Sequence, residues 1–87
     1  MLKNNIDELK KGDWCFGKND NWITIQYDND NFKDVVVIPI SKEIKGCWNW
    51  NEDKNNPTIT PSILVHPYKG WTNGWHGYLT DGKLITV

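Results

Sequence analysis

Six tryptophans in a chain of 87 residues constrain the fold more than any other feature, because so small a chain has little interior to give them. Each indole buries about 150–250 Å² and has one N–H donor to place. The six therefore either fill the core in place of aliphatic side chains or line a pocket or contact surface. Trp48 and Trp50 stand one residue apart and share one face of an extended segment, while Trp71 and Trp75 bracket a loop that contains Gly74. Two or three of the six are expected in the core. Trp71 and Trp75 are the best placed to reach a ligand, since they border a loop.

A chain this long makes one domain, residues 1–87, with about 60% of its unfolded surface buried and little margin of stability. Oligomerisation would be a natural remedy, so a homo-oligomer is expected. The formal charge is −1, from ten lysines against eleven carboxylates, and arginine is absent. That balance gives no footprint for long nucleic acid or an anionic membrane, and it removes the bidentate fork that suits phosphate. Cys15 and Cys47 have neither C-x-x-C spacing nor a histidine pair nearby, so neither a zinc site nor a disulfide framework is indicated. No apolar run approaches the roughly 18 residues of a membrane span, and the N-terminus lacks a signal-peptide core. A reduced, cytoplasmic setting without cofactors is the expectation.

The residue pattern is mostly strand and turn. Leu2, Ile6 and Leu9 fall at helical spacing before Gly12, which allows one short N-terminal helix. Trp22 to Tyr27 alternates as a half-buried strand does, between the turn-forming stretches 17–21 and 28–31. Val35-Val36-Val37-Ile38 reads as a strand buried on both faces and ended by Pro39. Cys47 to Trp50 reads as another strand, 51–56 as a polar loop, Thr58 to His66 as an extended stretch and 67–74 as a loop. Trp75 to Thr80 and Lys83 to Val87 flank Asp81-Gly82, a two-residue loop suited to a type I′ turn with positive φ at both positions. The sum is an all-β fold, a small antiparallel sheet or open barrel of five to seven short strands.

Trp48-Asn49-Trp50, Pro57-Thr58-Ile59-Thr60-Pro61-Ser62-Ile63 and His76-Gly77-Tyr78 running into the hairpin Gly82 resemble a family of small phage-borne proteins of unassigned function, often mislabelled ammonia monooxygenase. The likeness covers Gly46 to Val87. Relatives often carry further cysteines that imply a metal. Here Trp75 stands where a cysteine often precedes the histidine and only Cys15 remains of the N-terminal cluster, so no metal site is carried over.

Two prolines stiffen the segment 57–62, and alternation would point the hydroxyls of Thr58, Thr60 and Ser62 to one face. They either satisfy neighbouring backbone in a bulged or edge segment or form a row of donors in a polar pocket. His76, a lone strand histidine, reads either as structural or as functional. With Trp48, Trp50, Lys69, Trp71, Trp75 and Tyr78, these residues make the candidate ligand site, on which aromatic faces would stack a base and Lys69 would meet an anionic group.

By analogy with small phage proteins, the favoured reading is a non-enzymatic protein that binds and sequesters a small nucleotide-derived immune signal in the infected bacterial host. The alternative is a protein-binding inhibitor of a host defence component, anchored by exposed tryptophans. A third is a small hydrolase that uses His76 with Asp53 or Asp81.

Overall fold

The computed structural model describes residues 1–29 and 32–87. Two antiparallel sheets account for its strands. The first has the order β1 (Trp14–Phe16), β2 (Trp22–Gln26), β3 (Val35–Pro39); the second has the order β4 (Asn49–Trp50), β5 (Ile59–Val65), β6 (Trp75–Thr80), β7 (Lys83–Thr86). The all-β expectation holds: the described residues form seven strands in two sheets, with no closed barrel among them.

One apolar cluster joins the two sheets. Trp14, Ile23, Ile25, Ile38 and Ile40 come from the first sheet and its end, and Ile59, Ile63 and Leu79 come from the second. Each isoleucine there contributes about 1.5–3 kcal/mol by leaving water. Register explains the choice of residues: Ile23 opposes Ile38 and Ile25 opposes Val36 on one side and Trp14 on the other, so the apolar positions of three strands align on one face. The Trp14 indole N–H donates to the Lys54 carbonyl at 2.9 Å, tying β1 to the polar loop after β4.

Three local expectations change. The N-terminal segment makes a 3-10 turn at Ile6–Glu8 in place of a helix. The valine run is not buried on both faces, because Val37 is 55% exposed while Ile38 is buried; β3 lies at the edge of its sheet. The strand does end at Pro39 as expected, with Pro39 opposite Trp22 in the last pair. The strand expected from Cys47 to Trp50 is reduced to Asn49–Trp50, because the Trp48 N–H donates to the Pro39 carbonyl at 2.9 Å and carries the chain toward the first sheet. Of the turn-rich stretch 28–31, Asp30 and Asn31 lie outside the described residues.

The hairpin is as expected: Asp81 and Gly82 have φ of 51° and 74°, and Thr80 opposes Lys83. Strand β5 is less regular. Ile59 opposes Leu79 and Ile63 opposes Gly77, so four steps along β5 match two along β6. The surplus is a bulge around Pro61, the kind of position where a residue without an N–H is tolerated. A surplus of two residues preserves face parity. Ile59, Ile63 and Val65 therefore face the core, while Ser62 and Leu64 face outward.

Candidate functional site

The outer face of the second sheet brings together a serine and a histidine. Leu64 opposes His76 in the β5–β6 ladder, which makes Ser62, two residues back on the same face, a diagonal neighbour of His76. Diagonal pairs are within reach of a long side chain, and the imidazole spans the gap, with His76 Nε2 3.2 Å from Ser62 Oγ. The backbone of both residues is held. The Trp48 indole N–H donates to the Ser62 carbonyl at 3.4 Å, and the Val87 N–H donates to the His76 carbonyl at 2.9 Å. His76 is exposed and Ser62 half-buried, so a large substrate can approach the pair.

The chain has a second serine, Ser41, whose Oγ accepts the Glu43 N–H at 3.3 Å within a turn. Of the acids considered as partners for His76, Asp53 accepts the N–H groups of Asn55 and Asn56 at 2.9 and 3.0 Å, so it organises its own loop. Asp81 sits at the hairpin tip, where its N–H donates to Thr58 Oγ1 at 2.9 Å.

The other expected site residues are divided among different places. Thr58 caps the hairpin turn, and the bulge separates it from Ser62, so the three hydroxyls do not act as one row; Thr60 is exposed. Tyr78 shares the outer face with His76. Trp48, Trp50 and Trp75 pack against the core, Trp50 beside Phe16 with ring centroids 5.0 Å apart. The Trp75 indole stacks on Tyr27 at 5.9 Å and donates to Thr86 Oγ1 at 3.0 Å. Lys69 and Trp71 instead line an open cleft with Tyr68, Thr72 and Asp34, to which neither Ser62 nor His76 contributes. Sequence reasoning chose Ser62 and His76 separately and did not pair them, since only the bulge and the register reveal their contact.

A family model described as bacterial ubiquitination-like system serine protease (BubE) matches residues 3–87. The chain belongs to the BubE family. No curated protein and no solved structure matches it. Membership overturns the sequestration of a nucleotide-derived signal: the family description names a serine protease of a ubiquitination-like system and points away from a nucleotide sponge. The same description lends no support to the expectation of a protein without catalysis. No helix among the described residues is long and apolar enough to cross a membrane.

Proposed function

We propose that the chain is a serine peptidase in which Ser62 is the nucleophile and His76 the general base, acting at the tail of a ubiquitin-like protein. The observation that carries this reading is the 3.2 Å approach of Ser62 Oγ to His76 Nε2 in a family described as serine proteases. A nucleophile within hydrogen-bond reach of its base is the minimal arrangement for acyl transfer.

With its proton on Nδ1, the imidazole accepts the Ser62 hydroxyl hydrogen bond at Nε2. Ser62 Oγ attacks the scissile carbonyl carbon as its proton passes to Nε2, giving a tetrahedral oxyanion and imidazolium. Collapse breaks the C–N bond, and the imidazolium returns that proton to the departing amine, leaving an acyl ester on Ser62. Water, deprotonated by His76, then attacks the ester; the carboxylic acid leaves and Oγ recovers its proton. The Trp48 indole steadies the nucleophile's own peptide unit through its bond to the Ser62 carbonyl.

The test is the reaction of the purified protein with a fluorophosphonate, followed by peptide mapping, alongside cleavage of a ubiquitin-like protein extended at its C-terminus. A phosphonyl adduct on Ser62, and cleavage lost in folded Ser62→Ala and His76→Ala variants, is the expected outcome. An adduct elsewhere, or cleavage that survives Ser62→Ala, defeats the assignment.

A further inference from the structure

Strand β5 carries Ser62 and has no strand partner on one side beyond Thr60. Its neighbour β4 pairs only with Ile59 and Thr60. Before Asn49 the chain leaves for the first sheet. Beyond the bulge, then, β5 has a strand partner on the β6 side alone; on the other side the Trp48 indole takes up the Ser62 carbonyl. Ladder parity fixes which backbone groups are free. The Val87 N–H donates to His76, so the polar groups of His76 face β7, and those of Trp75 and Gly77 face β5. The partners of Trp75 and Gly77 are Val65 and Ile63. Leu64, between these two, directs its N–H and C=O to the side without a strand partner. Among the described residues no backbone group takes them up. The Leu64 side chain is 56% exposed on the same face as Ser62, and Tyr78, Ile85 and Val87 extend that exposed apolar surface around His76.

We propose that the open edge of β5 at Leu64 is a substrate subsite that receives an extended polypeptide segment as an added strand, hydrogen-bonded to the Leu64 N–H and C=O and passing Ser62. The proposal rests on Ser62 being the nucleophile, since that is what makes the occupant of this edge the substrate. An unpaired edge templates another strand. A helical substrate cannot use it, because its backbone groups are already engaged. Every second side chain of the added strand lies on the Leu64 face, so the subsite favours peptides with apolar residues at alternate positions.

The probes are acetylated octapeptides that alternate Leu or Val with Lys or Thr, and the same peptides N-methylated at alternate residues, added to Ser62→Ala protein. The expected result is slowed hydrogen exchange at the Leu64 amide with the parent peptide and none with the analogue whose edge-facing amides are methylated. Leu64→Pro removes the free N–H without touching the β6 ladder, and should weaken peptide binding tenfold or more, while Leu64→Ala, which keeps the N–H, weakens it less. Unchanged exchange at Leu64, or equal binding by parent and methylated peptides, overturns the subsite. Reaction of wild-type Ser62 with a fluorophosphonate reports on the dyad separately: an unreactive Ser62 in folded protein defeats the peptidase reading, whereas a reactive Ser62 with no protection at Leu64 defeats only the edge.

Discussion

Gly77 lies directly against the indole of Trp75: a Cβ added at Gly77 would stand 2.4 Å from the ring and 2.3 Å from the Ile85 carbonyl oxygen. Both residues face inward on β6, and His76 stands between them facing out. The glycine thus lets the indole lie across its own strand, reach Thr86 and stack on Tyr27.

Gly77→Ala should therefore displace the indole. Overpacking of this kind costs about 1–3 kcal/mol, which in a domain this size lowers Tm by roughly 4–8 °C per kcal/mol. A fall in Tm, with near-ultraviolet circular dichroism reporting the moved tryptophan, is the expected outcome. Because His76 shares the strand, the same variant should also lose peptidase activity more steeply than stability. An unchanged Tm would mean that both the ring and the β7 backbone at Ile85 give way without cost.

Trp48→Phe keeps most of the ring packing and deletes the N–H that donates to the Ser62 carbonyl at 3.4 Å. A hydrogen bond of this kind is worth about 0.5–1.5 kcal/mol. The expected outcome is a small loss of stability with kcat reduced severalfold and KM nearly unchanged, because the indole positions the nucleophile and does not bind substrate. A change confined to KM would place Trp48 in the substrate site instead.

The hairpin at Asp81-Gly82 is legible from sequence because its cause is local: two residues that tolerate positive φ, between alternating segments. The alternation of β2 is legible for the same reason, although Thr24 and Gln26 on its other face are buried as well. Neighbouring structure, which local pattern does not reveal, overrides the reading elsewhere. Val37 is exposed because β3 ends its sheet, and the Trp48 bond to Pro39 cuts β4 short. The dyad is hidden by the same logic. Thr58, Thr60 and Ser62 read as one row by alternation, but the bulge around Pro61 separates Ser62 from the row, and the β5–β6 register supplies its histidine from 14 positions along the chain. An Asp-Gly turn announces its own geometry; a bulge and a register do not.

Thr72 ties the loop between β5 and β6 to the first sheet. Its hydroxyl donates to Asp34 Oδ1 at 2.8 Å and lies 2.6 Å from the Tyr27 hydroxyl, which donates in turn; the Gly74 N–H also donates to it, at 3.0 Å. Asp34 is buried, with the Asn29 side-chain amide as a further donor at 2.9 Å. Thr72→Val preserves shape and removes the centre of this network, leaving a buried carboxylate short of a donor at a cost of about 1–3 kcal/mol. Thr72→Ser should recover most of the loss. The check is the urea midpoint of the three proteins at constant m. Equal destabilisation by Val and Ser would show that the methyl group, and not the hydroxyl, holds the loop.

Cys15 gives a pH dependence whose sign follows from its surroundings. Burial pushes its thiol above the ordinary range, and the hydrogen bond with the Thr24 side chain offsets this only in part. The folded chain therefore holds the proton more tightly than the unfolded chain does. The contribution is fully present below the ordinary thiol pKa and is lost as pH rises through the raised value of the folded state, because above the ordinary value the unfolded thiol ionises first. Urea unfolding of the wild type and Cys15→Ala from pH 7 to 10 isolates the effect: the wild type should lose stability faster at the alkaline end, and the difference between the two should be flat near neutrality. Under native conditions iodoacetamide should modify the half-exposed Cys47 first and reach Cys15 only on unfolding, since Cys15 is 6% exposed. Parallel pH curves for the two proteins would show that the folded chain admits the Cys15 thiolate as readily as water does.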